Sequence, residues 1–199
     1  QQILSNTADN DSNKPTLRVM KKNAQRLLLL VNELLDVRKS ELGLLKLKVA
    51  RYDLHAVILD VLESFKNDFE SKKISVQLEV EDELPDVWMD INQMEKVCFN
   101  ILANALRFTP ECGEIKLSLS QIEAQDKYPE GMLQLCVRDS GPGIPKHELE
   151  TVFEFFYQGD QNLYSKKYSS GIGLSLAKDI VLLHHGEIFV ESQSEEDGQ

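Results

Sequence analysis

The hydrophobic period of this sequence changes near residue 44, and that change limits the folds open to the chain. Before it, apolar residues recur in alternating steps of three and four, which places one apolar stripe along a helix that packs against other helices. The members of this stripe are Leu17, Met20, Ala24, Leu27, Val31 and Leu34. After it, helical patterns alternate with the two-residue period of half-buried strands. We therefore expect two units, residues 1–43 and residues 44–199.

The first unit is expected to form part of a helical bundle. Residues 1–16 are polar and predict a connector, and a helix of nearly thirty residues should follow and stop near Gly43. A lone helix with this much apolar surface is unstable in water. We therefore expect it to pair with a second copy of the chain, as in a dimeric four-helix bundle.

The second unit contains helices and strands in mixed order. Asp53 and Asp90 are good N-cap residues in front of two amphipathic patterns. Helices and mostly antiparallel strands in this order predict an α/β sandwich of two layers. The predicted strands cover residues 45–49, 74–80, 115–122, 133–137 and 187–191, and the predicted helices cover residues 54–69, 91–108, 146–152 and 172–184.

Charge and cysteine content exclude several classes of partner and site. The chain has 33 acidic and 22 basic residues, a net charge of −11, so its surface repels nucleic acid and anionic lipid. The longest apolar run, residues 27–31, is far shorter than the roughly 20 residues that cross a bilayer. Cys98, Cys112 and Cys136 show no C-x-x-C spacing, which gives no support to a disulfide framework or a structural zinc site.

The predicted helix over residues 91–108 has polar residues beside its apolar face. At about 100° per residue, Asn100, Asn104 and Arg107 line one flank of that face. Asparagine is a mediocre helix former, so two of them one turn apart need a reason. Either the amides hydrogen-bond a neighbouring loop, or an amide oxygen coordinates a hard cation while Arg107 meets phosphate oxygens.

Two glycine motifs follow. In the first, a strand ends at Asp139 and leads to Gly141 and Gly143, which allow a ligand to approach the main chain. In the second, Gly171 and Gly173 open a helix whose bare N-terminal amides can bind an anion. Either motif alone is equally compatible with a plain turn. Between them lies a loop that is long enough to act as a lid.

Taken together and in this order, these motifs resemble the ATP-binding domain of sensor histidine kinases. That domain belongs to the wider GHKL family, which Hsp90-type chaperones, type II topoisomerases and MutL-type repair proteins share. Residues 100–109 resemble the N box, residues 139–144 the G1 box, residues 153–156 the F box and residues 171–174 the G2 box. Residues 23–37 are similar to the second helix of the dimerisation and phosphoacceptor bundle.

The resemblance implies a fold and ligands. The fold is the GHKL (Bergerat) α/β sandwich, preceded by a long helix of a dimeric four-helix bundle, and the ligands are ATP and Mg²⁺. Asp139 would accept a hydrogen bond from the adenine amine, Asn104 would bind Mg²⁺ with Asn100 assisting, and residues 159–170 would form the lid. The implied nucleotide-binding residues are Asn100, Asn104, Arg107, Phe108, Asp139, Gly141, Gly143, Ile144, Gly171, Gly173 and Leu174. Phe153 and Phe156 would lie at the root of the lid, or they are simple core aromatics.

The resemblance also implies the type of reaction. Hydrolysing relatives carry a glutamate general base four residues before the metal-binding asparagine, whereas this chain has the neutral Asn100 there. Transfer of the γ-phosphoryl group to a histidine is therefore favoured, followed by relay to the receiver domain of a response regulator. A cytoplasmic location is implied, with the membrane reached only through segments outside this sequence.

The expected phosphoacceptor is missing from this sequence. No stretch similar to H-E-[LI]-R-T-P surrounds any of the four histidines, His55, His147, His184 and His185. The last two end a helix, where a positively charged ring would suit the helix dipole. We therefore expect a fragment that lacks the phosphoacceptor and the final strand of its domain and cannot phosphorylate itself. The alternatives are an ATPase of the chaperone or topoisomerase type and a binding module that only dimerises.

Overall fold

A computed structural model of the chain describes most of the second unit and part of the first. The described residues are 20, 24, 27, 28, 31, 32, 34–39, 42–125, 128, 129, 131–157 and 171–192. The predicted connector over residues 1–16 and the predicted lid over residues 159–170 lie outside this set. The chain divides into two compact units, residues 1–45 and residues 46–199.

The first unit contains the predicted helix. Its described residues are helical up to Lys39, and a turn at residues 42–43 follows. The Leu44 N–H donates to the Lys39 carbonyl oxygen over 2.8 Å, and Gly43 has φ +64°. A glycine in the left-handed region is a common way to end a helix, so the turn lies where the sequence predicted the stop. Among the described helices none is long and apolar enough to cross a membrane.

The second unit contains strands and helices in mixed order. One strand precedes and one strand follows each of the two long helices in the sequence. The elements are β1 (Ala50–Tyr52), α1 (Leu54–Lys72), β2 (Ser75–Val80), β3 (Val87–Met89), α2 (Ile91–Phe108), β4 (Glu114–Ile122), β5 (Met132–Asp139), a 3-10 turn (Lys146–Glu148) and α3 (Gly173–Leu183).

The described strands form two sheets. Strands β2, β4 and β5 make a mixed sheet in which β2 pairs parallel with β4 and β5 pairs antiparallel with it. Strands β1 and β3 form a separate antiparallel pair, with Arg51 opposite Trp88. In the mixed sheet, Asp139 at the end of β5 lies opposite Ile115 near the start of β4.

The core lies between the helices and the mixed sheet. Alternate residues of β4 are buried on its inner face, as the two-residue period requires, and they join apolar side chains of α1 and α2. This one core confirms the predicted α/β sandwich. Its fully buried large side chains include Ile58, Met89, Leu102, Ile115, Leu117 and Leu119.

Capping by aspartate sets the starts of both long helices. The Asp53 side chain accepts a hydrogen bond from the His55 N–H, and Asp90 Oδ1 accepts from the N–H groups of Asn92 and Gln93. Both caps were predicted, because an aspartate in front of an amphipathic run satisfies amides that the helix itself leaves unpaired.

Two predicted strands are wrong. Residues 45–49 form no strand, although Leu45 and Leu47 alternate with charged residues, because the Lys48 N–H donates to Asp90 Oδ2 over 2.7 Å. Residues 187–191 likewise form no strand among the described residues. The short strand β3 was not predicted, since three residues give too little periodicity to detect.

Candidate functional site

Helix α2 carries the polar flank that the sequence predicted. Val97, Cys98, Leu102 and Ala105 are buried on its core side. Asn100, Asn104 and Arg107 are half-buried, so their polar groups border the core without entering it. The sequence folds locally as a helix because its apolar residues recur at helical spacing behind the Asp90 cap.

The structure brings Asn100 against the second glycine motif. A Cβ placed on Gly173 would lie 3.0 Å from Asn100 Oδ1 and 3.6 Å from Asn100 Cβ. Any side chain at Gly173 would therefore press on the amide, which explains why a glycine is suited to the first position of α3. The N-cap residue of α3 is Ile172, whose side chain cannot accept a hydrogen bond, in contrast to the aspartate caps of α1 and α2. The start of α3 thus combines close backbone approach with amides that its cap residue does not satisfy.

The first glycine motif lies against the C-terminal end of α2. The Gly141 N–H donates to Asp139 Oδ1 over 2.8 Å, and a Cβ on Gly141 would lie 3.1 Å from the Phe108 carbonyl oxygen. Asp139 is exposed, and Oδ2 is not used in its bond to Gly141. The Arg107 guanidinium carbon lies 5.2 Å from the centre of the Phe108 ring, within the range of a cation–π contact.

Two residues that flank the predicted lid, Phe156 and Gly171, meet each other. The Phe156 N–H donates to the Gly171 carbonyl oxygen over 2.8 Å. Gly171 has φ +69°, and a Cβ there would lie 2.7 Å from the Phe156 carbonyl carbon, so this close approach needs glycine. Phe156 is 61% exposed and is not a core aromatic. Phe153 is half-buried beside Lys178, whose Nζ lies 5.5 Å from the ring centre.

The remaining predicted residues occupy the same loops and helices. Asn104 follows Asn100 by one helical turn on the half-buried flank, and Leu174 is half-buried in the first turn of α3. Gly143 has φ +78°, a conformation that glycine adopts without strain. The Ile144 N–H donates to Ser192 Oγ over 2.7 Å, which holds the end of the first glycine loop.

Sequence reasoning missed the contacts that hold α2 in place. Lys72 Nζ donates to carbonyl oxygens at the C-terminal end of α2, and the Asp90 N–H donates to His184 Nε2 over 3.0 Å. In this bond Nε2 of His184 is the acceptor, which the tautomer protonated at Nδ1 provides. These partners lie 34 and 94 residues apart in sequence, and no local pattern signals such contacts.

Other chemical features of the described residues lie away from this site. A cavity of about 430 Å³ is lined by Leu47, Val49, Trp88, Leu183, His184 and His185, none of which was predicted to bind the nucleotide. The three cysteines are unpaired. Burial raises the pKa of the Cys98 thiol from 9.0 to about 12. Among the described residues, no group of three or more histidine, cysteine, aspartate or glutamate side chains lies close enough together to hold a metal ion.

Comparison with known proteins gives matches along most of the chain. Residues 89–199 match the family model described as "Histidine kinase-, DNA gyrase B-, and HSP90-like ATPase". The alginate biosynthesis sensor protein KinB of Pseudomonas aeruginosa is 36% identical over 177 residues, which cover 89% of this chain and 28% of KinB. The sensor histidine kinase TmoS of Ectopseudomonas mendocina is 36% identical over 174 residues, which cover 86% of this chain and 17% of TmoS. The chain thus spans less than a third of the length of these two relatives.

Solved structures show the same fold. The mycobacterial sensor histidine kinase MprB is 30% identical with a TM-score of 0.60, and the match covers 72% of this chain and 85% of that one. Full-length ShkA in complex with AMPPNP gives a TM-score of 0.73 at 23% identity and covers 91% of this chain and 37% of ShkA. Histidine kinase ThkA in complex with the response regulator protein TrrA gives a TM-score of 0.66 at 23% identity, and the match covers 90% of this chain and 47% of ThkA.

These matches agree with the order and geometry of the three motifs. The family model spans more than half of the chain and includes the asparagine helix, both glycine motifs and the segment between them. The fold similarity to MprB covers 72% of this chain. The chain belongs to the family of histidine kinase-, DNA gyrase B- and HSP90-like ATPases, and its homologues are sensor histidine kinases.

Proposed function

We propose that this chain is the ATP-binding kinase core of a sensor histidine kinase and that it delivers the γ-phosphoryl group of ATP to a histidine. The observation that carries the proposal is the meeting of three separate motifs on α2. Asn100 contacts the start of α3 at Gly173, while the carbonyl of Phe108 lies against Gly141, which is itself bonded to Asp139. A nucleotide that lies along the C-terminal half of α2, from Asn100 to Phe108, would touch all three motifs.

The adenine end of the nucleotide would lie at Asp139. This carboxylate is exposed and keeps Oδ2 outside its bond to the Gly141 N–H, so it can accept a hydrogen bond from the exocyclic amine of adenine. Guanine presents a carbonyl at that position, and two facing acceptors would cost roughly 1–3 kcal/mol. The site would therefore select ATP over GTP. Phe108 is 44% exposed at the adjacent helix end and can pack beside the base.

The phosphate end would lie between α2 and the start of α3. Asn100 and Asn104 offer amide oxygens, which are hard ligands of the kind that Mg²⁺ takes alongside water and phosphate oxygens. The residues present therefore fit Mg²⁺, with Asn104 as the metal ligand and Asn100 assisting. The ion would neutralise charge on the phosphates. Arg107 and the N-terminal amides of Gly173 and Leu174 would hold the phosphate oxygens.

The neutral side chain of Asn100 favours transfer over hydrolysis. An amide cannot take a proton from water, so this position lacks the general base that hydrolysis requires. The imidazole nitrogen of a histidine attacks without such a base. Because the four histidines of the chain do not match the phosphoacceptor motif, the acceptor would come from a bundle helix outside these residues. The chain by itself would then not autophosphorylate.

The partners of this core follow from its first unit and from its relatives. Met20, Leu27, Leu28 and Leu34 of the N-terminal helix are each at least half exposed, an apolar surface that a second copy of the helix would cover. We expect a homodimer through this helix. The complex of ThkA with TrrA supports a response regulator receiver domain as the next partner. We also propose a cytoplasmic location for this core, with the membrane reached only through segments outside these residues.

Calorimetric titration with Mg·ATP and Mg·GTP tests the nucleotide site. Asp139→Asn replaces an acceptor oxygen by a donor and should weaken Mg·ATP at least about tenfold, the equivalent of 1.4 kcal/mol. Asn104→Ala should remove the Mg²⁺ dependence of binding. Asn92→Ala is the matched control, since Asn92 lies on the same helix with an exposed side chain. Equal affinities for ATP and GTP, or an unchanged affinity of Asp139→Asn for Mg·ATP, would overturn the adenine assignment.

A phosphotransfer assay separates the proposed kinase from its two alternatives. The chain is mixed with a separate dimerisation helix that carries a phosphoacceptor histidine, and acid-labile phosphate on that helix is measured alongside free phosphate. Labelling of the helix with little free phosphate supports the kinase. Sustained phosphate release that disappears in Asn100→Ala would indicate an ATPase of the chaperone or topoisomerase type. A folded protein that binds no Mg·ATP would be a binding module.

A further inference from the structure

His184 is bonded at both ring nitrogens at the C-terminal end of α3. The Asp90 N–H donates to Nε2 over 3.0 Å, and Nδ1 lies 2.7 Å from the Ile180 carbonyl oxygen. A backbone N–H only donates and a carbonyl oxygen only accepts, so both bonds form in the tautomer that is protonated at Nδ1. Both bonds together fix the orientation of the ring against the start of α2.

Asp90 joins three parts of the second unit. It is 4% exposed, and its Oδ1 caps α2 while its Oδ2 accepts from the Lys48 N–H over 2.7 Å. Its own N–H donates the hydrogen bond that His184 Nε2 accepts. The segment before β1, the start of α2 and the end of α3 are thereby attached to one buried residue.

The same two helices touch at a second point, where Asn100 meets Gly173. Asn100 follows Asp90 by ten residues, and His184 follows Gly173 by eleven. At about 1.5 Å per residue these stretches measure roughly 15 and 17 Å. Since the start of α2 meets the end of α3, the helices run antiparallel, and the two contacts lie at matching distances along them. A shift of α3 along α2 would break the His184 bond and separate Gly173 from Asn100 together.

We infer that His184 is a positioning residue that fixes the register of α3 on α2 and so keeps the N-terminus of α3 against Asn100. The inference rests on the proposed function in that Gly173 and Asn100 belong to the proposed phosphate site. His184 acts on phosphate binding through the length of α3 and does not itself touch the nucleotide. Adenine binding at Asp139, on the other glycine motif, is independent of it.

Paired variants test this role with nucleotide. His184→Leu removes the acceptor and leaves the buried Asp90 N–H unsatisfied, whereas His184→Gln can return an acceptor oxygen near the place of Nε2. His185→Asn is the control, because His185 is exposed and has φ +60°, which asparagine tolerates. Titrations with Mg·ATP and with adenosine compare binding that includes phosphate with binding of the base and sugar alone.

We expect His184→Leu to weaken Mg·ATP at least about tenfold while adenosine changes less than about twofold. His184→Gln should recover most of the lost affinity, and His185→Asn should match the parent. An unchanged Mg·ATP affinity in His184→Leu would overturn the inference. Parallel losses for Mg·ATP and adenosine would also overturn it, since they would indicate general destabilisation.

A disulfide measures the register without any nucleotide. In Asn100→Cys/Gly173→Cys the two Cβ atoms would lie 3.6 Å apart, within the range that a disulfide spans. With the exposed Cys112 and Cys136 changed to serine, oxidation should join the two introduced thiols rapidly, and adding His184→Leu should slow that reaction several-fold. Equal rates would refute the positioning role even if the parent chain bound no ATP. Failure of ATP binding with a slowed reaction would refute the proposed function and leave the register role standing.

Discussion

Lys72 provides the sharpest stability prediction, because its ammonium group holds the end of the helix that carries both asparagines. Its Nζ donates to the carbonyl oxygens of Leu106, Arg107 and Thr109 over 2.7, 3.3 and 3.1 Å. The last carbonyls of a helix lack partners within it and carry the negative end of the helix dipole. Lys72 is half-buried, so water competes only in part for these contacts.

The structure sets the size of the effect of Lys72→Met, which keeps the alkyl chain and removes the donors. A hydrogen bond from a charged donor contributes about 1.5–3 kcal/mol, and a cation at a helix C-terminus roughly 0.3–2 kcal/mol. The three bonds share one charge, and the bond of 3.3 Å is weak, so they do not add. We expect a loss of about 2 kcal/mol in the free energy of unfolding, or roughly 4–8 °C in Tm.

Urea denaturation followed by circular dichroism measures this loss, with Lys66→Met as the matched control on the same helix. Lys66 is exposed and contacts Glu63 Oε1 at 3.5 Å, so its removal should change the free energy by less than about 0.5 kcal/mol. Lys72→Arg, which keeps a cationic donor, should fall between Lys72→Met and the parent. Equal stabilities of Lys72→Met and Lys66→Met would refute the reasoning.

Two further predictions concern buried groups. Iodoacetamide at pH 8 should label the exposed Cys112 in the folded protein and Cys98 only in denaturant, as peptide mass spectrometry would show. Because burial raises the pKa of Cys98 to about 12, its contribution to stability is complete below the unfolded value of 9.0 and is lost as pH rises toward 12, a decline that Cys98→Ala should reduce. Asp90→Asn places an amide donor against the Lys48 N–H and should cost about 1–3 kcal/mol in urea denaturation, whereas Asp53→Asn, at an exposed cap, should cost a few tenths. Equal losses at the two caps would contradict the role of the Lys48 contact.

Local chemistry explains which parts of the fold were predictable from sequence. The bounds of α2 were predicted to the residue, because Asp90 satisfies the first amides of the helix and Phe108 ends its apolar period. Strand β4 was predicted to within one residue for the same kind of reason, since its alternating apolar residues face one core. Hydrophobic periodicity and helix capping depend on residues that are neighbours in sequence, so both can be identified from a single sequence.

Several of the misses involve partners distant in sequence. The alternation of Leu45 and Leu47 favours a strand, but the Lys48 N–H bonds a carboxylate 42 residues away in place of a neighbouring strand. The role of His184 could not be predicted, because the N–H that donates to it belongs to Asp90, 94 positions earlier. Within the candidate site, the motifs could be identified from glycine spacing, whereas the contact of Gly173 with Asn100 required the packing of two helices.

The positions of these residues also separate loss of binding from loss of folding. Asp139 is exposed, so Asp139→Asn should change stability by less than about 0.5 kcal/mol, and any large loss of affinity can be assigned to the proposed contact with the nucleotide. Lys72 and Asp90 instead hold the two ends of α2, and their substitution lowers stability along with any effect on binding. We expect substitution of Asp139 to lower the affinity for nucleotide without a change in Tm. Substitution of Lys72 or Asp90 should lower Tm, because these residues hold the two ends of α2. Loss of Tm at Asp139 comparable to that at Asp90 would contradict it, because an exposed carboxylate at the end of β5 would then be part of the folding core.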